Sequence, residues 1–205
     1  MGADVKSAAG QRGRPWHRGL TRAAVSEAAL ALLDREGRRA LTMRRLAAEL
    51  DVAPPSLYEH VAGKSELIDL VVERVLAGVT LPPVAQGTVD ELVAGFTEYR
   101  RALLAHPEAA QLLVEQPRLS PVSVALVERS LGVLIGLGLS LHEAVDRHVT
   151  AVAYLLGWIC QELVPSKVSP GVTLDAPLAK AGIQYLLGSD TDERFEKGLR
   201  FILEG

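Results

Sequence analysis

The residues with the most chemistry per unit length lie in "TMRRLAAELDVAPPSLYEHVAGK", Thr42 to Lys64. Arg44, Tyr58 and Lys64 can bind phosphate oxygens, and Arg44 can alternatively pair with a guanine edge. Ser56, Glu59 and His60 offer short-range donors and acceptors beside two prolines, Pro54 and Pro55. Other chemistries find less support. His17, His60, His106, His142 and His148 form no cluster with zinc-like spacing, so no metal is expected. No nucleophile elbow, P-loop or dinucleotide fingerprint appears, so no cofactor and no enzyme activity are expected. Cys160, the single cysteine, sits in an apolar run and reads as core.

These side chains need a scaffold, and the pattern supplies helices. Thr21 caps a first helix with Val25, Ala28, Ala29, Leu32 and Leu33 on one face, ended by Gly37. Thr42 caps a second, with Leu46, Ala47 and Leu50 inward, and Asp51-Val52 makes a tight turn. Proline lacks an N–H but suits a first helical turn, so Pro54 and Pro55 start a short third helix closed by Gly63. Such a short helix is marginal alone and must be held from behind by Leu57 and Val61. Its outward set is then Pro54, Pro55, Ser56, Tyr58, Glu59 and His60. Two short helices joined by a tight turn form a helix-turn-helix pattern, whose second helix can enter a major groove. Ser65 is expected to cap a fourth helix running to about Ala77.

After "LPPVAQG" the helices continue. Thr88 with Glu91 and Ser140 with Glu143 make capping boxes. Pro107 and Ser120-Pro121 open two more helices, "PSKVSPGVTLDAP" reads as a loop, and a helix over "LAKAGIQYLL" precedes a last one after Asp190. No strand alternation is evident, and the chain reads as all-α. The expected organisation is a flexible basic arm (1–20), a DNA-binding unit (21–66) and a larger helical domain (67–205).

Charge divides the same way. Residues 1–64 hold eleven Lys and Arg against seven Asp and Glu, and the remainder eleven against eighteen. A basic start on an acidic body fits a polyanion partner for the start alone. The arm's Arg12, Arg14 and Arg18 fit a minor groove, a phosphate track or a solvating tail. No secretory signal or spanning segment is visible, so a cytoplasmic location is expected.

The stretch "LTMRRLAAELDVAPPSLYEHVAGKSELIDLVVERVL" resembles the DNA-binding unit of the tetracycline-repressor (TetR) family of transcription regulators. The matching features are the Thr42 cap, Leu46-Ala47, the turn before Val52, Ser56-Leu57-Tyr58, His60, Lys64 and Glu66-Leu67. "YRRALLAHPEAAQLL", "LGLSLHEAV" and "FEKGLRFILEG" resemble that family's larger domain more weakly. The resemblance implies a homodimer that grips a palindromic operator and releases it when a small-molecule effector binds the larger domain. Carried over by position, Arg44, Pro54, Pro55, Ser56, Glu59 and His60 face bases, while Thr42, Tyr58 and Lys64 contact phosphates. Pro54 replaces an amide and Glu59 an aromatic side chain, so the operator should differ from that of tetracycline-responsive members.

The resemblance further places Tyr99, Leu113, Gln116, Arg118, Val145 and His148 around the effector. Where tetracycline-binding members have a metal-bound histidine, this chain has Leu113. Where a carboxylate assists through water, it has Gln161. Neither suits magnesium, which wants oxygen ligands, so a largely apolar, metal-free effector is expected. The dimer is expected through helices 140–164 and 190–204. Val145, Val149, Val152, Leu155, Leu156 and Ile159 spread over more than one face, which one neighbouring helix cannot cover. The competing reading is a helical enzyme or small-molecule binding protein whose first helices only pack.

Overall fold

The computed structural model describes residues 19–79, 87–115, 120–164 and 176–205, and every regular element in them is helical. The first unit comprises α1 (Arg22–Glu36), α2 (Met43–Leu50) and α3 (Pro54–Tyr58), with α4 (Lys64–Leu76) packed along α1. Local chemistry sets each boundary. Thr21 and Thr42 accept hydrogen bonds from the N–H groups of Ala24 and Arg45. Asp51 takes a left-handed conformation (φ 56°), the sole positive φ outside glycine among the described residues, which turns the chain from α2 into α3. Prolines fill the first turn of α3, where no side chain caps.

Ser65 does not cap α4. Gly63 is the N-cap, and Glu66, in the first turn, accepts the Ala62 N–H at 2.7 Å. A carboxylate in the first turn satisfies a free donor and favours the positive helix end, so it replaces the hydroxyl. Helix α3 is also shorter than the interval before Gly63.

The second unit comprises α5 (Val89–Ala105), α6 (Pro107–Glu115), α7 (Pro121–Gly136), α8 (Leu141–Leu163), α9 (Pro177–Gly188) and α10 (Thr191–Glu204). Capping boxes open α5, α7 and α8, and Asp190 caps α10. Arg100 of α5 is almost fully buried. It pairs with Glu162 of α8 and with Asp192 of α10 (2.6 Å), and lies over the Phe195 ring. A buried charge is tolerated only when paired in this way, and here it fixes three helices together. Arg100 in turn holds the Asp192 carboxyl below the usual carboxylate range.

Helix α4 belongs to both units. It packs on α1 and also on α5, α6 and α7. Polar links reinforce the junction: His106 Nδ1 lies 2.8 Å from Asp34, the Arg38 N–H donates to Glu108, and the Arg38 guanidinium donates to Glu115.

One expectation fails on α8. Cys160 is exposed, because it continues the outward face that carries Ala153 and Gly157. The apolar residues of α8 divide between the core and a cavity, with Val149 still 58% exposed. Leu155 and Ile159 are fully buried, while Val145, Val149, Val152 and Leu156 line a cavity. The spacing identifies several apolar faces on α8, and the core and a cavity each take part of them.

Candidate DNA-reading surface and effector cavity

The surface around α3 is built from side chains that packing does not use. Leu57 and Val61 are buried to within 1% of full coverage. Leu46, Ala47 and Leu50 on α2 form part of the same core. That leaves Pro54, Pro55, Tyr58 and Glu59 exposed, with Ser56 and His60 half-buried. Tyr58 is 53% exposed despite being aromatic. The two neighbouring arginines on α2 differ. Arg45 donates to Glu36 and is bridged to Glu49, whereas Arg44 is exposed and has no side-chain partner among the described residues. Lys64, likewise exposed and unpaired among those residues, stands at the first position of α4. Thr42 uses its oxygen to cap α2, and its hydroxyl proton remains available for a phosphate. The sequence-derived set therefore consists of exposed or half-buried side chains around α2, α3 and the start of α4. Residues 1–18, with Arg12, Arg14 and Arg18, lie outside the described residues.

The sequence reading missed Arg22. It donates from Nη1 to the His60 carbonyl (2.8 Å) and to Glu66 (2.5 Å), joining α1 to the end of α3 and the start of α4. Its place directly after the Thr21 cap, with Glu66 in another first turn, is the signal that was available.

The second site is a cavity of about 400 Å³ among α5, α6, α7 and α8. This is within the range of small-molecule sites. Among the described residues, no Asp, Glu, Lys or Arg lines it. Tyr99, Leu113, Val145 and His148, which the family resemblance assigns to the effector site, border it. Gln116 and Arg118 fall outside the described residues. Among the residues missed are Phe96, Ser123 and Ser130. Ser130 is a buried polar residue of α7, and its Oγ is 3.0 Å from His148 Nδ1. Burial pushes the imidazole pKa of His148 down, favouring the neutral ring, and pushes the Tyr99 hydroxyl up to about 12. Both groups are thus neutral hydrogen-bonding partners near pH 7.

Leu113 faces the cavity and Gln161 is exposed. Glu162, beside Gln161, is committed to Arg100. Among the described residues, no three His, Cys, Asp or Glu side chains are grouped to hold a metal. None of the described helices is long and apolar enough to cross a membrane.

The comparisons with known proteins agree with this two-site layout. Residues 25–71 match "Bacterial regulatory proteins, tetR family", and residues 86–205 match "Tetracyclin repressor-like, C-terminal domain". An HTH-type transcriptional regulator of Saccharopolyspora erythraea is 31% identical over 91% of this chain and 84% of its own length. The Streptomyces coelicolor TetR family protein ActR, solved in complex with actinorhodin, superposes with a TM-score of 0.76 at 29% identity, covering 92% of this chain and 95% of that one. BioQ, solved with its double-stranded DNA operator, gives a TM-score of 0.63 at 29% identity over 82% of this chain and 96% of its own. An exposed surface around α3 and an apolar cavity thus occur together in a chain that belongs to the TetR family of bacterial transcriptional regulators, with a tetracycline-repressor-like C-terminal domain.

Proposed function

We propose that the chain is a homodimeric repressor that holds a palindromic operator through α3 and releases it when a largely apolar molecule enters the α5–α8 cavity. The observation that carries this reading is the set of Arg44, Tyr58 and Lys64, outward and unpaired among the described residues, around a helix anchored from behind by Leu57 and Val61. Thr42, Tyr58 and Lys64 take phosphates. Arg44, Pro54, Pro55, Ser56, Glu59 and His60 face base edges. Glu59 can accept from a cytosine amino group.

In the cavity, neutral His148 and Tyr99 orient an effector that apolar walls bind. Val145 and Leu113 supply part of those walls, and Gln116 and Arg118 are assigned to the same site by family resemblance. The effector acts by binding the DNA-free arrangement more tightly, the only way a ligand can shift that balance. The working division is an arm (1–20), a reading unit (21–66) and an effector and dimer unit (67–205). TetR-family regulators act as homodimers. Pairing across α8 and α10 is supported by the exposed small residues Ala153 and Gly157 and by Phe201, 83% exposed. Small residues let helices approach closely, and a large exposed aromatic calls for a cover.

Selection from a random duplex library with the full chain tests the reading. A palindrome should emerge. Binding by Lys64→Ala should fall on all sequences, with the salt slope lowered by ~1. Equal binding by wild type and a Tyr58→Ala, Lys64→Ala double variant would refute it.

A further inference from the structure

We infer that Arg22 and Glu66 are positioning residues for DNA recognition: together they lock the exit of the reading helix α3 onto α1 and α4. This rests on the reading of α3 as the base-facing helix. Neither residue projects from α3, and the DNA contacts named above include neither of them.

The argument starts from how weakly α3 is otherwise fixed. It has five residues and no side-chain N-cap. A helix so short does not hold its own shape in water. Leu57 is its one buried residue, followed by Val61 just beyond it. Apolar burial is non-directional: it keeps a segment against the core but sets its tilt poorly. Hydrogen bonds are directional, losing strength steeply as they bend. A major-groove contact needs both atoms of a pair within a few tenths of an ångström, so tilt matters more to reading than to folding.

The directional restraint is present at the exit of α3. Arg22 Nη1 donates to the His60 carbonyl at 2.8 Å and to Glu66 Oε1 at 2.5 Å. Glu66 Oε2 accepts the Ala62 N–H at 2.7 Å. The two backbone groups that leave α3 are therefore held by one cation from α1 and one carboxylate from α4. The Glu66 carboxyl is lowered first by the Ala62 N–H and then by Arg22, consistent with an ionised group engaged by both. The pair is partly exposed, with side-chain exposures of 54% and 34%. Exposed pairs add little to global stability. Loss of the clamp should accordingly reduce reading far more than it reduces folding, which separates a positioning role from a merely structural one.

A direct phosphate contact by Arg22 is the rival explanation, and Glu66 distinguishes the two. Removing Glu66 frees Arg22. A phosphate-binding Arg22 would then hold DNA as tightly as before or tighter, whereas a clamp would fail.

The test uses the full chain and the duplex that wild type enriches from a random library, with binding measured at several salt concentrations. Arg22→Ala and Glu66→Ala should each weaken binding about tenfold, the scale of one charge-assisted hydrogen bond. Their double variant should fall no further than the weaker single one, since both break one unit. Thermal midpoints should move by less than about 3 °C. Arg22→Lys, which keeps a donor, should recover most of the loss, and the salt slope should stay at the wild-type value. Should Glu66→Ala lose helix content, Glu66→Gln supplies the same comparison with the shape kept.

Wild-type affinity in both single variants would overturn the inference. So would a salt slope lowered by ~1 in Arg22→Ala together with unweakened binding in Glu66→Ala, the signature of a phosphate contact. If wild type enriches no duplex, the DNA-binding reading itself fails and the clamp falls with it. Variant-specific loss on an enriched duplex leaves that reading intact.

Discussion

The proposed functional side chains of α2, α3 and the start of α4 stand outside a filled core, while those of α5 to α8 surround a hollow. In the first region, recognition and packing use different residues. Leu57 points back, and Tyr58, its neighbour, points out. In the second region the same residues do both. Val152 and Leu156 line the cavity and also pack against the core. Substitutions should therefore separate affinity from stability in the reading surface and entangle them in the cavity.

The largest expected effect tests the first half of that contrast. Leu57→Ala removes a fully buried side chain and should cost roughly 2–5 kcal/mol of unfolding free energy. Tyr58→Ala should cost less than about 0.5 kcal/mol, as exposed substitutions do, while weakening DNA binding. Chemical denaturation and DNA titration of both variants provide the check. Comparable destabilisation by the two would mean that Tyr58 packs and that the contrast is false.

An intermediate effect sharpens the second half. Val152→Phe puts a ring into the hollow. Capture of an apolar dye such as Nile red should fall about tenfold, because the ring takes space the dye needs. Stability should change by no more than about 1–3 kcal/mol, the usual cost of overpacking a filled core, and by less where a void receives the added atoms. DNA binding should persist. Unchanged dye capture would place the binding hollow elsewhere.

The smallest effect concerns pH. His148 is buried and its pKa lies below the ordinary 6.5. The unfolded chain therefore binds this proton at a higher pH than the folded chain does. The stabilisation is complete above about pH 6.5 and declines as pH falls towards and through the lowered folded value. Denaturation midpoints should drop between neutral and mildly acid pH, and His148→Gln should flatten that drop. An equal slope in both proteins would assign the effect to other groups.

The contrast also explains what the sequence could disclose. Caps at Thr21, Thr42, Thr88, Ser120 and Ser140 were legible because each depends on neighbours three residues away. The outward set on α3 was legible because prolines fix the helix start and two apolar residues fix its back. Ser65 was misread because Gly63 and Glu66 satisfy the same helix end by a different route. The cavity along α8 was not legible for a deeper reason. Periodicity reveals which residues share a face, but a neighbouring helix, a partner copy and an empty cavity all select the same side chains. Cys160 shows the converse, since hydrophobic surroundings in sequence did not put it inside. Arg22 and Glu66 lie far apart in sequence, and only the fold brings them to the exit of α3.

The outward placement of Ser56 and Glu59 bears on how such regulators diversify. Neither belongs to the hydrophobic core, so exchanging them carries little folding penalty. Descendants of this chain can sample new operator sequences one substitution at a time without passing through unstable forms. Changes in effector preference meet a harder route, because a residue altered at the cavity wall disturbs its packed neighbours and needs compensating substitutions. Across lineages, operator preference should drift faster than effector preference, with the reading surface as the readily edited part of the molecule.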